Sequence, residues 1–294
     1  AGEQAGFALS DDINGAQQEG FGALQMNVRG GVRSSTAEAY IRPNAGRANL
    51  TVLDQALAER LVVEGNRVSS VRFSRHGSSI EVRANREVIL ACGAIGSPHM
   101  LMLSGIGSPD HLAEHGIECR VNLPGVGQNL QDHLGSDNLY RARVPSLNQE
   151  LGPWFGKLKV GLQYLLTRQG VLSMSLNQGG GFVRVMKDAT RPDLQLYFSP
   201  VSYSRAPVGT RPLMAPDSFS GFQLGFNPCK PTSVGHLQIR SADPTEPPEI
   251  QANYLSTQYD RDMMLAGVRL MRTIAEAPAF KSVIDAELAP GPDL

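Results

Sequence analysis

The stretch that decides the fold is residues 87–107, which read EVILACGAIGSPHMLMLSGIG. Its run at 87–91, which is continuously apolar after Glu87, is typical of a strand covered on both faces, as in a parallel sheet. A glycine turn follows, and Ser97 before Pro98 suits the N-cap and the first position of a helix that extends through Leu103. Strand, glycine turn and helix in this order predict an open α/β fold that presents backbone N–H groups to a phosphate or nucleotide.

Upstream of this stretch, the sequence predicts a small antiparallel meander. Short β-prone runs lie at residues 50–53, 58–63, 68–74 and 80–84, with turns at 64–66 and 76–77. Residues 1–27 are rich in Gly and Asn and read as loops. The segment that begins at Arg33 offers a Ser/Thr cap and helix formers, so it predicts a helix that Pro43 ends.

Downstream, the pattern predicts a short helix over 109–115 closed by Gly116, and then an irregular tight loop over 123–133. After residue 134 the character changes to a helix around 155–168 and alternating strands near 193–199, 221–226 and 236–240. A final helix over 260–276 carries Met264, Val268, Met271 and Ile274 at helical spacing. The second part of the chain is therefore expected to contain an antiparallel sheet.

Composition narrows the function classes. The chain has 294 residues, a net charge of −1 and 41% hydrophobic residues, which suit one large or two ordinary globular domains. Basic residues are not clustered, which disfavours a nucleic-acid partner. No apolar run approaches the roughly 20 residues that cross a bilayer. Three widely spaced cysteines argue against a disulfide framework and for a reducing, cytoplasmic location, with peripheral attachment to a membrane left open.

The residues alone specify no reaction. A GxGxxG fingerprint, a GxSxG elbow, an HExxH motif and a P-loop are all absent from the sequence. His111 and His115 could share a helix face, but without a third ligand group an ordinary helix face is favoured over a metal site. Asp132 and His133 could act as an acid/base pair, although a hydrogen-bonding knot is favoured in a glycine loop. We therefore predict no metal site and assign no catalytic residue.

Residues 87–107 closely resemble the second signature of the glucose-methanol-choline (GMC) oxidoreductases, and 123–133 (LPGVGQNLQDH) resemble the family's next block. Weaker matches around 12–40, 192–195, 235–244 and 248–255 extend the likeness nearly end to end, closest to the choline-dehydrogenase-like branch. The resemblance implies an α/β (α+β) fold. Residues 28–134 would form part of an FAD/NAD(P)-binding-type flavin domain, and 1–27 with 135–294 an antiparallel-sheet substrate-binding domain.

The resemblance also implies FAD as the cofactor and a set of positions that contact it. Most of them are small, so that the backbone can approach the ligand closely; they are Ala58, Ala91, Gly93, Ala94, Ser97, Asn129, Asp132 and His133. Ala58 stands where the family usually has a Val whose main chain contacts adenine. The family's GxGxxG segment and its His-Pro-x-Gly-Thr block have no counterpart, so the isolated chain is expected to be an incomplete portion that does not oxidise alcohols.

The implied function is FAD-dependent oxidation of an alcohol to the aldehyde by hydride transfer to flavin. The substrate would be choline-like, or another primary alcohol or polyol, and oxygen or a quinone would accept the electrons. Two alternatives stay open. One is a hydroxynitrile lyase on the same scaffold, which holds FAD without using it for redox chemistry. The other is a non-catalytic binding or remnant protein.

Overall fold

The computed structural model describes residues 1–203 and 216–291. Its strands, in chain order, are β1 (Gly20–Ala23), β2 (Val28–Arg29), β3 (Val32–Arg33), β4 (Ala56–Glu64), β5 (Arg67–Arg75), β6 (Ser78–Arg83), β7 (Ile106–Gly107), β8 (Val121–Asn122), β9 (Gln128–Leu130), β10 (Ser136–Ala142), β11 (Gly179–Val183), β12 (Leu194–Ser199), β13 (Gly221–Pro228), β14 (Gly235–Gln238), β15 (Glu249–Gln251) and β16 (Ile284–Ala289). The α-helices are α1 (Gly93–Leu103), α2 (Pro109–Glu114), α3 (Leu147–Leu151), α4 (Trp154–Thr167), α5 (Gln258–Ala275) and α6 (Pro278–Lys281). Short π- and 3-10-helical turns lie at Ala37–Ile41, Arg42–Asn44 and Val171–Ser173.

The chain divides into two compact units. The sheet unit comprises Ala1–Gly46, His133–Lys230 and Gln258–Leu294, and the meander unit comprises Arg47–Asp132 and Pro231–Thr257. The predicted flavin and substrate domains stay a prediction, and these units differ from them at residues 28–46, 133–134 and 231–257. Residues 28–46 pack in the sheet unit, where Gly31 lies so close to the Arg168 carbonyl that a Cβ would be 1.9 Å from its oxygen. Residues 231–257 pack in the meander unit, where β14 pairs with β9.

The sheet unit is built on a six-stranded antiparallel sheet in the order β1-β11-β12-β13-β10-β16. Helix α5 covers one face of this sheet, and Leu196 and Phe226 are buried in the same apolar cluster as the helix residues Met263 and Met271. The buried face of α5 includes Met263, Gly267, Met271 and Ile274, at the spacing of one helix face. Met264 and Val268 were predicted to belong to this face, but they flank it and are only half-buried.

The meander unit contains the antiparallel sheet β4-β5-β6, as predicted. Helix α1 is joined to it by the buried Ser104 hydroxyl, which accepts a 2.8 Å hydrogen bond from the Leu61 backbone N–H and donates to the Met100 carbonyl. A second apolar cluster joins helices α1 and α2 to β14. It contains Met102, Leu103, Leu112, Leu237 and Ile239. Leu103 and Ser104, near the end of the stretch 87–107, are therefore packed within the meander unit.

Residues 87–92 form no strand, which corrects the prediction of a doubly covered parallel strand. A strand needs a paired neighbour for its backbone groups, and none of the described residues pairs with this segment; Ile89 is 81% exposed. Helix α1 begins at Gly93, not at Ser97, because Gly93 takes φ +79° and turns the chain directly into the helix. Pro98 consequently lies inside α1, where it removes one hydrogen bond of the helix.

Other local expectations were also wrong or only partly right. Residues 50–53 are not a strand, and the predicted helix after Arg33 is reduced to the turns that include Pro43. Two segments predicted to be irregular supply strands, β1 and β9, because tertiary pairing with β11 and β14 outweighs their glycine-rich composition. The predicted helices α2, α4 and α5 and the strands β12, β13 and β14 are confirmed. Within the described residues, no helix combines the length and apolarity needed to cross a membrane.

Candidate functional site

The candidate site lies on the face of the six-stranded sheet that α5 does not cover. Side chains alternate between the two faces of a strand, so the neighbours of the core residues Leu196 and Phe226 point the other way. One row of paired residues crosses five strands on this second face: Gly22, Gly180, Tyr197, Gly225 and Asp137. We call this second face the polar face, because it carries a carboxylate, a phenol and several amides.

Asp137 and Tyr197 form the central contact of the polar face. They lie on β10 and β12, and Gly225 on the intervening strand β13 pairs with both of them. The Tyr197 hydroxyl donates a hydrogen bond to the Asp137 carboxylate. A Cβ on Gly225 would lie 1.9 Å from the Tyr197 ring and 2.3 Å from Asp137 Oδ1, so the pair requires glycine at this position. Glycine inside a strand commonly marks such a close approach.

The surroundings of this pair shift the acidity of both groups. Crowding by neighbouring atoms raises the pKa of the Asp137 carboxyl, and the hydrogen bond from Tyr197 opposes part of that rise. Burial, and then the nearby Asp137 charge, raise the pKa of the Tyr197 hydroxyl, which therefore stays protonated and donates. Tyr203 is affected in the same two ways, so the carboxylate lies near two phenol groups.

His133 lies in the sheet unit beside strand β13. Its Nε2 is 3.1 Å from the Cys229 carbonyl oxygen, and its Nδ1 is 3.3 Å from the Asn227 side-chain nitrogen. These partners suit an imidazole that donates from Nε2 and accepts at Nδ1. Burial raises the pKa of the Cys229 thiol to about 11, so this thiol is protonated at neutral pH. The His133 ring is thus held by hydrogen bonds to protein groups.

A cleft of about 820 Å³ opens in the sheet unit, and Phe182 and Gln195 of the polar face line it. Met26, Tyr164 and Met174 contribute to its other walls. Its size falls within the usual range of small-molecule pockets, and its walls combine apolar side chains with a few amides.

The predicted cofactor positions in the meander unit cluster at the start of helix α1. Ala91, Gly93 and Ala94 are exposed, whereas Ser97 is half-buried one turn later. Nothing lies within 4 Å of the place where a Cβ on Gly93 would be, and no side chain caps the N-terminus of α1. The first N–H groups of the helix are therefore open to an acceptor, which is the arrangement that binds phosphate groups.

The remaining predicted positions of this unit are separate from α1 in sequence. Ala58 is half-buried on β4. Asn129 is exposed on β9 and adopts a left-handed backbone with φ +58°. Asp132 accepts a hydrogen bond from the Tyr254 hydroxyl, a partner that sequence reasoning did not identify. That hydrogen bond is the largest cause of the raised pKa of Tyr254.

One sequence expectation about ligand groups needs correction. His111 and His115 do have a third ligand group beside them, because Glu114 Oε2 lies 3.6 Å from His111 Nδ1 on the same helical turn. One ligand atom from each of these three residues lies within 4.8 Å of the others. The prediction that the chain binds no metal stays a prediction.

Known proteins with similar sequences agree on one family. Residues 1–135 and 231–293 match the N-terminal and C-terminal parts of the GMC oxidoreductase family. The oxygen-dependent choline dehydrogenase of Staphylococcus xylosus is 39% identical over 297 residues, which is 100% of this chain and 51% of that protein. The chain thus spans about half the length of the curated relatives it matches.

Solved structures support the same assignment. Pyridoxine 4-oxidase from Mesorbium loti aligns with a TM-score of 0.81 and 30% identity, over 99% of this chain and 52% of that one. An FAD-dependent oxidoreductase from Chaetomium thermophilum shares the fold, with a TM-score of 0.83 at 23% identity, over 100% of this chain and 56% of that one. These matches confirm the predicted fold class and FAD as the cofactor of the family. The chain belongs to the GMC oxidoreductases.

Proposed function

We propose that this chain is part of an FAD-dependent enzyme that oxidises a small alcohol to its carbonyl compound. The observation that carries the proposal is the likeness over the whole chain, at 39% identity, to a choline dehydrogenase. Pyridoxine, named in the matched oxidase structure, is also an alcohol. FAD, when bound, supplies the acceptor for the hydride that leaves the alcohol carbon.

The start of helix α1 is proposed to receive the ADP half of FAD. Three observations support this assignment: the exposed small residues Ala91 and Ala94, the positive φ of Gly93, and the uncapped helix N-terminus. Because Gly93 has no side chain and faces open space, its backbone is accessible to a ligand. Ala58, Ser97, Asn129, Asp132 and His133 stay proposed as further contacts.

The polar face of the six-stranded sheet is proposed to receive the alcohol. Its opposite face is filled by α5, so the polar face is the side of this sheet that combines exposed polar groups with a neighbouring cleft. In this proposal the chain binds and orients the substrate and one half of the cofactor. Oxygen or a quinone as the electron acceptor, and a cytoplasmic location, stay predictions from the sequence.

The test is to express the complete gene product that contains this chain and to assay it with a panel of primary alcohols and polyols. We expect the purified protein to carry FAD and to release aldehyde when oxygen or a quinone is supplied. A protein without flavin would contradict the proposal. So would a flavoprotein that releases cyanide from a cyanohydrin but oxidises no alcohol, and that result would favour the lyase.

A further inference from the structure

A cavity of about 470 Å³ lies in the meander unit, and its charged walls are mostly basic. Arg60 on β4, Arg72 on β5 and Arg120 just before β8 line it, and Glu118 is the one carboxylate among its described lining residues. Three guanidinium groups against one carboxylate leave an excess of positive charge. The volume falls within the usual range of small-molecule pockets.

The register of the meander leaves one of these arginines without a balancing charge. Arg60 pairs with Arg72 across β4 and β5, and Arg72 pairs in turn with Glu81 on β6. Residues paired in this way project on the same face of a sheet, where like charges are destabilising. Glu81 forms a 3.2 Å ion pair with Arg72. In the part of the chain that the structure describes, no Asp or Glu forms an ion pair with Arg60, so an anion beside it would offset an unbalanced repulsion.

Two walls of the cavity are held by the turn that follows helix α1. The Ser104 hydroxyl accepts a 2.8 Å hydrogen bond from the backbone N–H of Leu61, the neighbour of Arg60. The Arg120 backbone N–H donates a 2.8 Å hydrogen bond to the Gly105 carbonyl. Arg60 and Arg120 therefore extend from backbone segments that are tied to consecutive residues. A site fixed in this way loses less free energy to ordering when a ligand binds.

The groups that line the cavity suit a phosphate group attached to an organic molecule. A guanidinium group presents five N–H donors in a planar fork that matches two oxygens of a phosphate group. Arg120 donates from one Nη to Glu118 at 3.2 Å, which leaves its other donors for a ligand. Leu61 and Ile117 line the same cavity and provide apolar surface beside the anion.

We propose that this cavity binds a small phosphorylated molecule, with Arg60 as the principal contact of its phosphate group and with Arg72 and Arg120 as supporting cations. Bound phosphate offsets the repulsion between Arg60 and Arg72, so it stabilises the folded protein. This inference is independent of the proposed function, because no step of the oxidation enters it.

The first test measures calorimetric binding of inorganic phosphate to the complete holoenzyme saturated with FAD. Saturation keeps phosphate from reporting the cofactor's own site. We expect one saturable site per chain with a Kd of about 1 mM or lower, and binding weakened about tenfold or more by Arg60→Gln. Arg60→Lys, which keeps the charge, should retain part of the affinity. Arg86→Gln, at an exposed arginine of the same unit that does not line the cavity, is the matched control and should bind like the wild type.

Three outcomes of this experiment would overturn the inference. They are a wild type without saturable binding, equal binding by Arg60→Gln, and equal losses in Arg60→Gln and Arg86→Gln. The last result would mean that phosphate responds only to the total charge of the protein.

Melting curves separate phosphate binding from a structural role of Arg60. Without phosphate, Arg60→Gln should be about as stable as the wild type or more stable, because the like-charge pair is lost. Phosphate at about ten times its Kd should raise the melting temperature of the wild type and leave that of the variant unchanged. Equal rises in both proteins would overturn the inference. So would a large loss of stability in the phosphate-free variant, which would show that Arg60 supports the fold itself.

Ala242 tests the location from another wall, because it is exposed and lines the same cavity. Ala242→Glu brings a carboxylate to the arginines and should weaken phosphate binding about tenfold or more. Ala242→Gln has the same size without the charge and should bind phosphate more tightly than Ala242→Glu. Equal affinities of the two variants would contradict the site, and none of these measurements needs turnover.

Discussion

Tyr197 hydrogen-bonds Asp137 across an intervening strand, and it can do so because Gly225 between them has no side chain. The three residues are paired in one register row of β12, β13 and β10. A contact of this kind depends on the exact register of three strands, since a slip of one residue would send each side chain to the opposite face.

Gly225→Ala should destabilise the protein by about 1–3 kcal/mol, because the added methyl group would overlap both the Tyr197 ring and the Asp137 carboxylate. Urea denaturation of the two proteins measures this difference. Pairing Gly225→Ala with Tyr197→Ala should recover part of the loss, because the smaller side chain vacates the space. A single variant as stable as the wild type would show that the pair is not formed.

Asp137→Asn should raise the melting temperature at neutral pH, because the folded protein raises the pKa of this carboxyl. The pKa of the Asp137 carboxyl is near 3.8 in the unfolded chain and higher in the folded protein. Its contribution to stability is therefore fully present below the unfolded pKa and is lost as the pH rises through the folded pKa. The amide does not ionise, so the variant keeps that stability. Melting curves recorded from acid to neutral pH should show a higher melting temperature for Asp137→Asn at neutral pH, and this difference from the wild type should disappear in acid. An advantage independent of pH would show that ionisation of Asp137 is not its cause.

Two glycines of the long helices should respond to alanine in opposite directions. In α5, a Cβ on Gly267 would lie 2.2 Å from the Phe226 ring, so Gly267→Ala should cost about 1–3 kcal/mol despite the better helix propensity. In α4, nothing lies within 4 Å of such a Cβ on Gly161, so Gly161→Ala should stabilise by up to about 1 kcal/mol. Thermal unfolding of the complete protein gives both signs. Stabilisation by Gly267→Ala would mean that α5 does not pack closely on β13.

Gly93→Ala should weaken FAD binding, whereas Gly65→Ala should not. Both glycines have positive φ and open space around the missing Cβ, so alanine should introduce similar strain at each, roughly 1 kcal/mol. Only Gly93 lies where the cofactor is proposed to approach. The FAD content of the two purified variants, measured by absorbance after dialysis, tests the assignment. Equal retention of FAD would remove Gly93 from the cofactor site.

The sequence predicted the elements whose signals are local. The apolar spacing of α5 and the alternation of the meander strands lie within single segments, so they could be recognised without the rest of the fold. The prediction of a strand at residues 87–91 was wrong because a strand forms only with a paired neighbour. An apolar run does not specify which segment that neighbour is. The family was recognised because the fixed positions of residues 87–107 form a specific pattern.

The candidate site was less predictable than the fold. Asp137, Tyr197 and Gly225 are far apart in the sequence and belong to no motif, so only the register of the sheet brings them together. Tyr254 was missed as a partner of Asp132 for the same reason. The buried face of α5 includes Met263 and not the predicted Met264. This shift by one residue reflects the close approach of Gly267 to the Phe226 ring, which cannot be read from a hydrophobic pattern.

The central claim is that this chain serves an FAD-dependent alcohol oxidation. The most direct test is to mix the complete holoenzyme with alcohols without oxygen or another acceptor, and to follow the absorbance of the oxidised flavin. We predict that the absorbance bleaches and that one aldehyde forms for each flavin reduced. Flavin that stays oxidised with every alcohol tried, in a correctly folded holoenzyme, would contradict the claim.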